Sequence, residues 1–262
     1  MKYLYIVVAL VLGVFFKTEA QYAMFAESGV VSYDKTMYMK NIVRKQYVEK
    51  SDERSRPFFQ AMIPNLPENA VLKKELRFKG DETVFGPVKQ ELDMKLKQTI
   101  MQLALDFEAT TFSNLKTKEF QRYNDIVGQK IIIKDSVKNI KWKITDEYRE
   151  IAGYNCRRAN GITPDSIYVV GYYAVEIPID GGPESINGLP GLILGLVVPS
   201  QHVSYFATKV EISNAVVLDK KLLDNQKIKR MTRAEMEKQF VEAMGNFMNV
   251  ETVKYIMKLA LL

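Results

Sequence analysis

The chain has 262 residues, 37 Lys and Arg against 31 Asp and Glu for a formal net charge of +6, and 47% hydrophobic residues. That length suffices for a sizeable core in one large domain or a domain with an extension, and basic residues scattered without a run of five exclude a nucleic-acid footprint. Cys156 is the only cysteine and His202 the only histidine, which excludes an intramolecular disulfide and an ordinary structural zinc site.

Residues 1–20 read as a signal peptide. Met1-Lys2 gives the positive start, 3–16 is an apolar core too short for a membrane span, and Thr18-Glu19-Ala20 sets small residues at −3 and −1. Cleavage is expected before Gln21, with no Cys beside it to carry a lipid. The mature protein is therefore expected in the periplasm or at the inner face of the outer membrane. From there the strand period of two dominates. Strands are predicted over 30–39, 71–79, 107–112, 118–123 and 130–134, with a polar, Pro-bearing excursion and a short helix over 45–69. Ile140, Trp142 and Ile144 alternate with Lys141, Lys143 and Thr145 as a half-buried strand. The stretch 148–159 is broken at Ala152-Gly153, where a turn or a bulge fits. Asn160-Gly161 and Thr163-Pro164-Asp165 read as further turns. A long strand over 167–177, apolar or aromatic on both faces, is expected to be central, with Pro178 ending it.

Next comes a dense punctuation, Gly182-Pro183-Glu184-Ser185-Ile186-Asn187-Gly188-Leu189-Pro190-Gly191. Pro190 fixes φ and Gly191 permits φ > 0, so Leu-Pro-Gly-Leu reads as a type II turn. The run 192–198 reads as a buried strand, its length alone leaving a short helix open, and with a strand over 203–212 its spacing suits an antiparallel hairpin. The C-terminus is helical. Thr232 and Glu235 form a capping box, and Met236, Phe240, Met244, Phe247 and Met248 recur on one helix face ahead of a second helix over 250–262. The predicted class is α+β with mostly antiparallel sheet. The expected division is a leader at 1–20, a sheet domain at 21–220 and a helical extension at 221–262. Cys156, inside a strand-like segment, is expected to be buried and inert.

Four motifs occur in order: Trp142-Lys143-Ile144-Thr145, the run 151–159 around Cys156, Tyr173-Ala174-Val175-Glu176-Ile177-Pro178, and Gly188-Leu189-Pro190-Gly191-Leu192-Ile193 preceded by Gly182-Pro183. In these residues the chain resembles the GLPGLI family of exported proteins of Gram-negative bacteria, named for the hexapeptide. It departs from the family in carrying Tyr172-Tyr173-Ala174 where members often have Trp-Tyr-Thr. The resemblance implies no established activity and supplies no catalytic residues. Its strand-rich layout is similar to the curved half-barrel sheets of exported lipoprotein carriers, so a curved, half-barrel-like sheet with C-terminal helices is expected.

The residues themselves offer no catalytic, cofactor or metal set. His202 stands alone in a turn, and Asp180, Glu184 and Glu176 lack any Ca²⁺-loop spacing and read as surface groups. Trp142, Tyr168, Tyr172 and Tyr173 either fill the core or line a concave face for an apolar or extended ligand. The Met244 and Met248 face either packs on the sheet or meets a partner groove or a membrane surface. The expected role is an exported, non-catalytic binding protein whose partner is a protein or an apolar ligand of the cell envelope. The alternatives are a copper-handling protein using Met231, Met236, Met244, Met248 and Met257, and a hydrolase with a carboxylate site at Glu176.

Overall fold

In a computed structural model, residues 27–126, 129–137, 139–244 and 249–260 are described. The leader at 1–20 and Met248 lie outside the described residues. The chain runs through β1 (Ser28–Met37), α1 (Met39–Ile42) continuing as a wider turn of helix over Val43–Val48, α2 (Arg56–Met62), β2 (Ala70–Lys79), β3 (Glu82–Pro87) and α3 (Met94–Gln102). It continues through β4 (Thr110–Asn114), β5 (Glu119–Ile126), β6 (Gln129–Ser136), β7 (Lys141–Ile151), β8 (Tyr154–Ile162), β9 (Tyr168–Ala174), β10 (Leu192–Val198) and β11 (Val203–Ile212). The C-terminal part holds α4 (Lys221–Asp224), β12 (Lys229–Met231), α5 (Arg233–Met244) and α6 (Val250–Ala260).

All strands of the described residues share one open sheet in the order β12-β6-β5-β4-β3-β2-β1-β11-β10-β9-β8-β7. Two antiparallel meanders meet at β1. One steps outward from β1 to β6; the other starts at the far edge with β7 and steps inward to β11, which pairs with β1. The short β12 runs parallel to β6, among the described residues the one departure from the expected antiparallel pairing. This order requires curvature. β6 and β7 stand ten strand spacings apart, about 48 Å in a flat sheet. The link from Ser136 to Lys141 reaches at most about 18 Å. The sheet must therefore coil until its two arms approach, without hydrogen bonds closing β6 onto β7.

Strand alternation decides what faces the inside. On β1, Val31, Tyr33, Lys35 and Met37 are buried between half-buried neighbours; on β2 the buried set is Ala70, Leu72, Lys74, Leu76 and Phe78. β10 is buried along nearly its whole length, so its apolar run belongs to a strand covered on both faces. β9 is paired on both sides but lies third from the β7 edge, short of the centre expected for it. The β7–β8 hairpin turns on Ala152 and Gly153 at φ 51° and 85°, both positive as a type I′ hairpin turn requires. Asn160-Gly161, read as a turn, instead lies within β8, because Gly161 makes room for a ring from the neighbouring strand.

The helices pack against this frame, and Tyr47 and Ile256 are buried in the same main core as the strands. Asp93 caps α3, its carboxylate accepting from the Leu96 N–H at 3.1 Å. The Thr232–Glu235 capping box forms as read, with Thr232 N–H to Glu235 at 2.7 Å and Glu235 N–H to the Thr232 hydroxyl at 3.2 Å. Met231, Met236 and Met257 pack with Ile131 and Ile133, so part of the methionine face lies against β6. The α6 residue Tyr255 is buried, and its hydroxyl donates to the Gln201 carbonyl at 3.3 Å.

Candidate functional site

The segment 175–191 between β9 and β10 is the structural centre of the molecule. Residues 181–187 are all buried. The segment folds on itself through tight three-residue turns: the N–H groups of Ile179, Gly181 and Gly191 donate to the carbonyls of Ile177, Ile179 and Leu189 at 2.8, 2.9 and 2.8 Å. The type II turn expected at Leu189–Leu192 is therefore corrected. The Leu192 N–H does not return to Leu189 but donates to Ile177 at 2.9 Å, and Gly191 takes φ 153° instead of the smaller positive value of that turn. Gly191 is required by contact as well. A Cβ there would lie 2.2 Å from the Ala174 carbonyl oxygen.

Trp142 of β7 pins this segment. Its Nε1 donates to the Asn187 carbonyl at 2.8 Å. Its ring lies across Gly161 of β8, Gly171 of β9 and Gly188, where added Cβ atoms would come within 2.6, 3.2 and 3.2 Å of it. Three glycines thus form the bed of one indole. At the other end the segment reaches across the inside of the curved sheet. Gly181 approaches Thr83 of β3 and Leu115, and the buried Tyr33 hydroxyl donates to the Ile193 carbonyl at 2.8 Å.

The tip of this internal plug carries Glu184, and here the sequence reading needs its largest correction. Glu184 is no surface group: it is 6% exposed, as Arg122 of β5 is 4%. Arg122 Nη1 donates to Glu184 Oε2 at 2.6 Å and to Thr111 Oγ1 at 3.1 Å, while the Tyr205 hydroxyl donates to Glu184 Oε1 at 2.9 Å. Beside this pair, Asp106 receives Lys35 Nζ at 2.6 Å and Lys74 Nζ at 2.9 Å; both lysines are buried. Burial opposes ionisation of both carboxylates, yet the facing cations win and hold both below the usual carboxylate range. Burial, reinforced by Glu184 and Asp106, pushes the Tyr205 phenol far up, so it remains a neutral donor. Both oxygens of Glu184 are thus occupied by donors. The arrangement locks a segment in place and offers no free base.

The other residues singled out in the sequence are dispersed. Tyr173 is buried in the core, while Tyr172 lies against Phe206 with ring centroids 6.2 Å apart and Arg149 over that Phe206 ring at 4.5 Å. Tyr168 is exposed and donates to Asn160 Oδ1 at 3.0 Å. With Trp142 seated on its glycines, these four aromatics do not line a common face. Met244 closes α5. Cys156 is fully buried, and burial with the nearby Glu176 pushes its thiol up to about 12. Glu176 is exposed. Asp180 accepts from the Gly188 N–H and pairs with Lys118 at 3.3 Å. Burial lowers His202, which caps a helical turn at φ 54°. Among the described residues no group of three His, Cys, Asp or Glu side chains is placed to hold a metal ion, and no helix is long and apolar enough to cross a membrane.

Residues 161–195 match the model of a family described as a protein of unknown function, Porph_ging. This is the family named for the Gly-Leu-Pro-Gly-Leu-Ile hexapeptide. The matched stretch begins at one glycine of the Trp142 bed, contains the other two and the whole plug, and ends in β10. No curated protein matches the chain.

Proposed function

We propose that the chain works in the cell envelope, after loss of residues 1–20, as a non-catalytic binding protein that engages a protein partner through the outside of its curved sheet. The observation that carries this reading is the buried plug. The inside of the sheet, where a carrier would hold an apolar ligand, is filled by residues 181–187 and anchored by the Arg122–Glu184 pair. The cavity beside that pair measures about 10 Å³, the room of one water. An apolar ligand would have to expel the plug and leave buried charges without partners.

A partner surface is supported at the opposite end. β7 ends the strand order, so among the described residues one side of its backbone faces no further strand, and Ile144, Tyr148, Ile162 and Tyr168 on β7 to β9 are exposed. An open strand edge flanked by apolar side chains suits addition of a partner strand. A photo-crosslinking residue placed at Tyr148 or Ile162 in the exported chain, with exposed Val217 as control, tests the reading. Discrete adducts at the first two positions and none at Val217 are expected. Equal labelling at all three, or none, would overturn it.

A further inference from the structure

Three cations, Lys35, Lys74 and Arg122, converge on two carboxylates, Asp106 and Glu184, which leaves one formal positive charge uncompensated in the interior. Among the described residues no third acid lines the cluster. Tyr205, the remaining ionisable neighbour, is held neutral by its surroundings and donates to Glu184. Arg122 supplies a second observation. Its side chain is 4% exposed, and its Nε–H has no hydrogen-bond partner although its Nη1 makes two bonds. A buried, charged donor of this kind is costly to leave unpaired. The third observation is space. A cavity of about 10 Å³ is lined by Lys35, Lys74, Asp106, Arg122 and Glu184, with Leu105, Phe107 and Ala109 as its apolar wall. It has room for one small occupant.

We propose that this cavity binds one monovalent, monatomic anion of chloride size, held by Lys35, Lys74 and Arg122, which neutralises the cluster that anchors the plug. The ammonium groups have donors to give. Lys35 Nζ has one close carboxylate oxygen, at 2.6 Å from Asp106 Oδ1, and Lys74 Nζ is shared between the two Asp106 oxygens at 3.1 and 2.9 Å. Water fits the same space but would leave the excess charge uncompensated. Anion binding to the folded state alone raises stability with anion concentration.

The test is thermal unfolding of the full mature chain at constant sodium and ionic strength, with chloride or bromide exchanged for gluconate. A saturable rise in midpoint with chloride and bromide is expected, and Lys35→Met, which makes the cluster neutral, should abolish the halide dependence while retaining a cooperative transition. Should that variant fail to fold, crystals of the unaltered protein grown in bromide decide the matter. An anomalous peak within hydrogen-bond reach of Arg122 Nε supports the site. A water at that position, or a midpoint that is the same in chloride and gluconate, overturns it.

Discussion

Replacing Gly161 with Ala should change sign in its effect on stability according to what stands at position 142. In the unaltered protein a Cβ added at Gly161 would meet two Trp142 ring carbons at 2.6 Å. The indole cannot simply swing away, because Nε1 is bonded to Asn187 and the ring is wedged against Gly171 and Gly188. Overpacking of that kind costs about 1–3 kcal/mol. Trp142→Ala alone should cost about 3 kcal/mol from lost ring packing, the low end for a half-buried Trp, and about 1 kcal/mol for the bond to Asn187. In the Trp142→Ala background the ring clash is gone and only a tight contact with Ile140 Cγ2 at 3.0 Å remains, which the side chain can relieve by a small shift, while Ala in a strand is favoured over Gly by about 0.5–1 kcal/mol. Gly161→Ala should then be neutral or mildly stabilising. Urea unfolding of the four proteins in a double-mutant cycle measures this, with an expected coupling of about 1–3 kcal/mol in favour of the double variant. If Gly161→Ala costs the same in both backgrounds, the glycine bed does not exist.

The locked carboxylate makes further expectations. Glu184→Gln leaves Arg122 buried without its counter-charge and should cost about 3–5 kcal/mol, most of it recovered when Arg122→Met is added; equilibrium unfolding of the single and double variants measures it. Asp106 and Glu184 have folded-state values below their ordinary ones, so they stabilise the fold above about pH 4, the unfolded carboxylate range, and that contribution falls away as acid drives the folded groups toward protonation. Stability measured from pH 7 down to 3 should drop more steeply in the unaltered protein than in the Glu184→Gln, Arg122→Met double variant. Cys156, with its thiol pushed up to about 12 and no exposed surface, should resist thiol reagents at pH 8 until denaturant is added. Gly191→Ala should destabilise by about 1–3 kcal/mol, because its Cβ would meet the backbone of Ala174 and Val175, which cannot rotate aside; a thermal midpoint equal to that of the unaltered protein would refute the close approach.

The regular parts of the fold were legible because alternation and turn chemistry act locally. The reading of 71–79 became Ala70–Lys79, the hairpin over 192–198 and 203–212 formed within those bounds, and the Thr232 cap formed bond for bond. β3 is short and runs into Gly86-Pro87, which hid it, and α3 was passed over although Asp93 stands at its cap. The candidate site was missed for a different reason. A lysine or arginine in a strand reads as solvated, so Lys35, Lys74 and Arg122 drew no notice. The signal was their parity: Lys35 shares the face of Tyr33 and Met37, Lys74 that of Leu72 and Leu76, and Arg122 that of Phe120 and Asn124. A charge on the apolar beat of a strand marks a buried partner, and its partners lay 62 residues away at Glu184 and 71 and 32 away at Asp106. The turn at Pro190 was misread because the Leu192 N–H is taken by Ile177, a partner that turn statistics do not include.

Native-state hydrogen exchange on the amides of Gly181, Leu192 and Ile193 gives the most direct test of a permanently seated plug. These N–H groups donate to Ile179, Ile177 and Gly181 within the plug, so protection equal to that of the β10–β11 ladder is expected. Exchange at open-loop rates, while the ladder stays protected, would show that the segment leaves the sheet interior and that the inside of the sheet is a binding site after all.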